Sequence, residues 1–398
     1  MPKQLDKQSV PDPKQSTSNR RRINNSTKCQ TNPLKLPYGW ERKVTESNHI
    51  YYVDHINKKT TYSDPRLAFA VEDNSSDAAA NIRQRFDGSS RALEVLHGRD
   101  LSDKYVIVTG GNTGIGYETA RSLALHGAHV VLASRSKERG EAAAAAIHTE
   151  RPEANVKVMM MDLTSLASVR EFANNYRSKK WPLHIFILNA AVFALPYSKT
   201  EDGFETIFQV NYLSQYYLTN LLEDVLIRSA PTRIVVLSSE SHRFSDLCHN
   251  NMTEDRLSPP SDAQFSSMSA YNQSKLCCSL FSNALNWRLS SQGVACNSLH
   301  PGNMVSSSLS RNWWFYRLLF ATVRPFTKSL QQAAATSVYC ATATELEGVG
   351  GLYFNNCCVC QPSDAALDAQ NITELWDLSE MMVKKAVRSM DPDCSLIG

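Results

Sequence analysis

From Lys104 to Arg135 the chain runs KYVIVTGGNTGIGYETARSLALHGAHVVLASR: an apolar run, a glycine-rich turn, a helical pattern and a second apolar run. No other stretch constrains the fold as tightly. Neither run alternates polar with apolar residues, as expected of strands covered on both faces. The rhythm continues with VKVMMM, LHIFIL, RIVVLS and VACNSL, separated by longer helical patterns. Strands that alternate with helices in this way imply an α/β fold, a right-handed, doubly wound parallel sheet of Rossmann type, over residues 100–398.

The turn holds Gly110, Asn112, Thr113, Gly114, Ile115 and Gly116 between a strand and a helix. Glycines there permit a tight turn, close approach of the backbone to a pyrophosphate and close packing of helix on strand. Its strand-turn-helix setting makes the run a dinucleotide signal. The second strand ends in Ser134 and Arg135, where an acid would hold the ribose diol of NAD. A guanidinium suits a 2′-phosphate, so the expected cofactor is NADP in preference to NAD; the bland alternative is a solvated cation at a helix start. Asp162 ends the third strand, where it could meet an adenine amino group or cap the helix starting near Ser165.

The reacting end is expected at AYNQSK, because Tyr271 and Lys275 are four residues apart and project from one helix face. A phenol is a poor acid or base at its free pKa of about 10, and a neighbouring ammonium stabilises the phenolate. Tyr271 would then exchange a proton while a nicotinamide exchanges the hydride, and Lys275 would also hold the nicotinamide ribose. The spacing alone is common on ordinary helices. VVLSSES adds weight, since it leaves a buried strand with Ser238 and Ser239 at the carboxyl edge of the sheet.

In order, TGGNTGIG, Asp162, NAA at Asn189 to Ala191, Asn211, Ser239, Tyr271 with Lys275, and Pro301-Gly302 resemble the short-chain dehydrogenase/reductase family over residues 100 to about 355. By position, the resemblance implies that Tyr271 is the acid/base, Ser239 hydrogen-bonds the substrate oxygen, Lys275 binds ribose and Asn211 holds a water in the proton relay. Asn189, Pro301, Gly302 and Ser306 join the cofactor site. Ala191 stands where the family usually has glycine, and Ser306 where a threonine follows Pro-Gly. The polar insertion before Tyr271 resembles the retinol dehydrogenase-like branch, which implies a lipophilic alcohol or carbonyl of steroid or retinoid type. WWFYRLLFATV, residues 313–323, falls where the family places its substrate lid; a core helix or a membrane-touching surface are its alternatives.

Ahead of this domain, residues 37–67 have strand-like alternation around Tyr51-Tyr52, with turn residues at Ser47-Asn48 and Asn57-Lys58. Trp40 and Pro65 at the ends, with Tyr62 where a second tryptophan is usual, resemble a WW domain, a three-stranded antiparallel module. Tyr52 is expected to pack with Trp40 and Pro65, while Tyr51, Val53, His55 and Tyr62 face a peptide. The resemblance implies weak Pro-Pro-x-Tyr protein ligands, or a module that mainly steadies its neighbours. Joined to a dehydrogenase it also implies an adaptor role in apoptosis and growth signalling, located in the cytoplasm with nuclear and mitochondrial pools. A non-catalytic scaffold binding such peptides is the alternative to an enzyme.

Residues 1–36 carry eight Lys or Arg against two acids and almost no large apolar side chains, so they are expected to be a disordered basic tail. Residues 68–99 are expected to be a linker. The Arg20 to Arg22 run is a nuclear address or simply a solvated tail. A net charge of +3 points to no nucleic-acid partner, and no run of eighteen apolar residues points to a membrane span. Ten cysteines at irregular spacing suit reduced thiols, and CCVC lacks the second ligand pair a metal would need, so no metal is expected. A homodimer is left open, because the sequence does not set the oligomeric state.

Overall fold

The computed structural model describes residues 36, 39–45, 50–56, 58–61, 82, 84–302 and 328–390. Tyr62, Pro65, Ser306, the basic tail and residues 313–323 lie outside them. Strands β1 (Trp40–Val44), β2 (Ile50–Asp54) and β3 (Lys59–Thr61) form an antiparallel meander, with Trp40 opposite Asp54 and Val53 opposite Thr60. Strand alternation puts Trp40, Tyr52 and Asp54 on one face and Tyr51 and Val53 on the other. Tyr52 and Asp54 are buried, and Tyr51 and Val53 are half-buried.

The large domain begins before residue 100. Composition marks residues 68–99 as a linker, yet Ala92, Val95 and Leu96, spaced i, i+3 and i+4, are buried in the core of the dehydrogenase-like domain by helix α1 (Ala92–Val95). Then come β4 (Tyr105–Thr109), α2 (Gly114–Leu125), β5 (His129–Ser134), α3 (Lys137–Glu150), β6 (Val156–Met160), α4 (Leu166–Ser178) and β7 (Ile185–Leu188). Next are α5 (Thr206–Phe208), α6 (Ser214–Arg228), β8 (Thr232–Leu237), α7 (Glu254–Leu257), α8 (Ser267–Leu289) and β9 (Val294–His300). Helix α9 (Leu330–Thr342), the hairpin β10 (Tyr353–Asn355) and β11 (Cys358–Cys360), α10 (Asp364–Leu367) and α11 (Ala369–Met390) complete the described chain.

The large sheet has the order β11-β10-β9-β8-β7-β4-β5-β6, parallel except for the edge strand β11. The chain winds from β4 outward to β6, then crosses back to β7 on the other side of β4. That reversal opens a crevice at the carboxyl ends of β4 and β7, the place where such sheets take ligands. Each face has its own apolar core: α4, α6, α8 and α11 cover one, and α1, α2, α3 and α9 the other. The hairpin β10-β11, absent from the strands read in the sequence, holds the CCVC run; Asn356 and Cys357 form its turn with positive φ.

His126 caps the carboxyl end of α2, 3% exposed, with Nδ1 donating to the Ser122 carbonyl at 2.8 Å. Burial pushes its pKa down to about 4 from 6.5. The unfolded chain therefore binds a proton that the folded chain resists. Stability is complete above about pH 6.5 and drains as pH falls toward 4, by at most about 3 kcal/mol from this residue. Urea unfolding measured across this window should show that slope, and His126→Asn should flatten it.

Candidate active site

Thr109, at the end of β4, ties the crevice together. Its Oγ1 accepts from the backbone N–H groups of Asn189 and Ala190, both at 2.9 Å, and donates to Gln215 Oε1 at 2.9 Å. Its carbonyl accepts from Asn189 Nδ2 at 2.8 Å. These bonds fix the ends of β4 and β7 to each other and to α6, so the turn after β4 leaves a rigid edge. Gly110 takes φ +65° there, a conformation that costs glycine least. At Gly116 a Cβ would lie 2.4 Å from Asn189 Nδ2 and 2.5 Å from the Gly110 carbonyl. Only glycine lets the first turn of α2 approach this close to the strand.

A cavity of about 470 Å³ opens over that turn. Of the residues expected to hold a cofactor, it is lined by Gly110, Asn112, Thr113, Gly114, Ile115, Gly116, Arg135, Asp162, Asn189, Tyr271, Lys275 and Pro301. Gly302 follows Pro301 at φ +109°, packed against Lys328, but does not line the cavity. Beyond β5 the exposed Arg135 is joined by Arg139 one helical turn further on. Arg139 was not among the expected residues, although its i+4 spacing from Arg135 is visible in the sequence. Asp162 is the one acid lining the cavity among the described residues. Its carboxylate accepts from Thr164 N and Thr164 Oγ1 at 2.9 and 2.8 Å, and the cap of α4 is Ser165 itself, accepting from Ser168 N.

At the other end α8 presents Tyr271 and Lys275, 8% and 3% exposed. Lys275 Nζ donates to the Leu237 carbonyl at 2.9 Å and lies 5.7 Å from the centroid of the Tyr271 ring. A buried ammonium is expensive, and this one has a carbonyl and a phenol ring near it. Phe193 meets the Tyr271 ring edge-on with centroids 4.8 Å apart, and Leu195 lines the same wall. Both come from the loop after β7, which turns through Ala194 at φ +54°. The sequence singled out none of these three.

Asn211 and Ser239 border the cavity without lining it. Asn211 sits fully buried in a π-helical turn at 209–213. Its Oδ1 accepts from Val192 N at 2.7 Å, and its Nδ2 donates to Val192 O and Ser274 Oγ, both at 3.0 Å. The amide thus braces the loop that carries Phe193. Ser238 lines the cavity, with its hydroxyl donating to Lys275 O and accepting from Ser279 Oγ, each at 2.8 Å. Ser239 follows as the cap of residues 240–244, accepting from Ser241 N at 3.2 Å and donating to Ser241 Oγ at 3.1 Å. In the WW module, His55 and Lys43 both meet Glu41, at 2.9 and 3.2 Å, on the face of Tyr51 and Val53. Among the described residues no cluster of His, Cys, Asp or Glu could hold a metal ion, and no helix is long and apolar enough to cross a membrane.

Residues 104–246 match the model of the short chain dehydrogenase family, and residues 36–65 match that of the WW domain. The chain belongs to the short-chain dehydrogenase/reductase family, and it is an oxidoreductase of that kind. Its relatives over most of its length include a Gallus gallus protein named WW domain-containing oxidoreductase, 55% identical across 90% of this chain and 96% of that one. Retinol dehydrogenase 12 of Mus musculus is 39% identical across 76% of this chain and 92% of its own. Among solved structures, the Pseudomonas aeruginosa RhlG/NADP active-site complex shares the fold, with a TM-score of 0.51 at 22% identity over 64% of this chain and 95% of that one.

The Gly116 contacts generate a test. Gly116→Ala forces a collision costing about 1–3 kcal/mol, so affinity for a reduced dinucleotide should fall about fivefold or more. Fluorescence titration of the bound dinucleotide measures it.

Proposed function

We propose that this protein interconverts a lipophilic alcohol and its carbonyl with NADP(H). The observation that carries the reading is one cavity with Tyr271 and Lys275 buried at one end and two exposed guanidiniums, Arg135 and Arg139, at the other. The glycine turn fits a dinucleotide, because Cβ atoms at Gly110 and Gly116 would collide with Asn189, Ala190 and the Gly110 carbonyl, so only glycines let the turn close against the strand ends beside the cavity. Arg135 and Arg139 favour a 2′-phosphate by charge-assisted hydrogen bonds, and Asp162, already hydrogen-bonded to Thr164, sits nearer the adenine side of the family's site. When bound, the nicotinamide exchanges a hydride with the substrate carbon.

The protein's own residues supply the rest. Tyr271 gives its phenolic proton to the carbonyl oxygen during reduction, or takes it during oxidation. Lys275 holds its ammonium beside that phenol and binds the ribose. Ser239 hydrogen-bonds the substrate oxygen: its bonds to Ser241 stay within its own turn and can be exchanged, whereas the Ser238 hydroxyl, though it lines the cavity, is tied to α8 by Lys275 O and Ser279 Oγ. Asn211 supports the proton relay through the π-helical turn. Phe193 and Leu195 give the substrate an apolar wall, and the likeness to retinol dehydrogenase 12 supports a retinoid- or steroid-sized ligand. The WW domain match supports weak binding of Pro-Pro-x-Tyr peptides on the Tyr51 and Val53 face. An adaptor role in apoptosis and growth signalling, with cytoplasmic, nuclear and mitochondrial pools, is a further part of this reading that only partner capture and localisation experiments address.

Steady-state rates with a panel of retinoid and steroid aldehydes, ketones and alcohols test this reading. NADPH should give the higher kcat/KM, and the double variant Arg135→Ala, Arg139→Ala should reduce the preference over NADH about a hundredfold, as expected for two charge-assisted hydrogen bonds. Equal use of NADH by the unaltered protein would remove the NADP assignment. No turnover across the panel would favour the scaffold reading.

A further inference from the structure

His97, just beyond the end of α1, faces the WW module. Its Nε2 lies 3.1 Å from Asp54 Oδ2, and its ring meets that of Trp40 edge-on with centroids 4.2 Å apart. Asp54 is 1% exposed, and its other oxygen accepts from Ile56 N at 2.9 Å. One carboxylate therefore closes the turn after β2 and also reaches the large domain. A carboxylate so deeply buried needs such partners, and a module of about thirty residues has little bulk of its own to bury it.

Strand alternation decides which face is engaged. Trp40 and Asp54 belong to the face with Tyr52; Tyr51 and Val53 point the other way, where His55, Glu41 and Lys43 form their own ionic cluster. The far end of the docked face is open, with Val44 52% and Ile50 41% exposed, so the attachment is local to the Trp40 end. The receiving side is rigid. Leu93 N donates to Gln331 Oε1 at 3.3 Å, Gln332 Nε2 donates to the Ser89 carbonyl at 3.2 Å, and Leu96 is fully buried.

We propose that the WW module is a docked reader: His97 holds it on the dehydrogenase domain through Trp40 and Asp54, while a proline-rich peptide is taken on the opposite face without release. The peptide half rests on the WW reading above; the docking half does not. A bound partner is then carried at a constant place on the enzyme. The docking also lends support from the large domain to a module too small to bury much surface alone.

Amide ¹⁵N relaxation on the full chain tests both halves, with a Pro-Pro-x-Tyr peptide as the probe. The WW amides should tumble with the whole protein, and His97→Ala should give them the several-fold shorter correlation time of a tethered module. His97→Gln, which keeps a donor for Asp54, should retain the slow tumbling, and thermal unfolding of both variants shows whether the large domain is intact. Peptide saturation should leave the unaltered protein slow, with dissociation constants for it and His97→Ala within about threefold. Fast WW tumbling in the unaltered protein, or slow tumbling unchanged by His97→Ala, would overturn the docking. Release on peptide binding, or more than tenfold tighter binding to His97→Ala, would overturn the docked reader. If neither protein binds peptide at millimolar concentration, the reader half fails while the relaxation data still decide the docking.

Discussion

The structure has to accommodate a lysine ammonium buried in the wall of its cavity. Lys275 is 3% exposed and donates to the carbonyl of Leu237, the last residue of β8, so its charge is held at the carboxyl edge of the sheet beside the ring of Tyr271. Such a group is costly to bury, and buried charges of this kind cluster at functional sites. Placing it there requires β8 in the middle of a parallel sheet, α8 crossing its end, and the reversal of winding between β4 and β7 that opens the crevice. Thr109 and Asn189 close the other wall of that crevice. The glycines of the turn then leave room between the two walls.

The cavity has two chemically distinct ends. Arg135 and Arg139 stand in solvent at one, where long cations can meet a phosphate without being desolvated. Tyr271, Phe193 and Leu195 form the other, more apolar end, where an apolar substrate would lose least. Ala194 at φ +54° lets the side chains on either side of it, Phe193 and Leu195, both enter the cavity from one short loop. A non-glycine residue in that region carries strain, which is often found at binding sites.

Much of this was legible because periodicity and motif order survive in one dimension. The six long strands, the glycine turn and the Tyr271-Lys275 pair could be read directly, since a doubly covered strand is a continuous apolar run and a helix repeats every four residues. Shorter or longer-range features could not. Strands β10 and β11 are three residues each, too short for a pattern to emerge. Helix α1 hides in a polar stretch with only Ala92, Val95 and Leu96 to mark it. Whether Asn211 acts by its side chain depends on Val192 and Ser274, neither near it in sequence. The contact of Asp54 and Trp40 with His97 spans two modules and has no local signature.

The central claim is that the buried pair on α8 performs the proton step. Turnover of the best carbonyl substrate at saturating NADPH should fall at least about a hundredfold in Tyr271→Phe, while NADPH affinity, measured by fluorescence titration, stays within about twofold of the unaltered protein. Turnover equal to that of the unaltered protein would contradict the account.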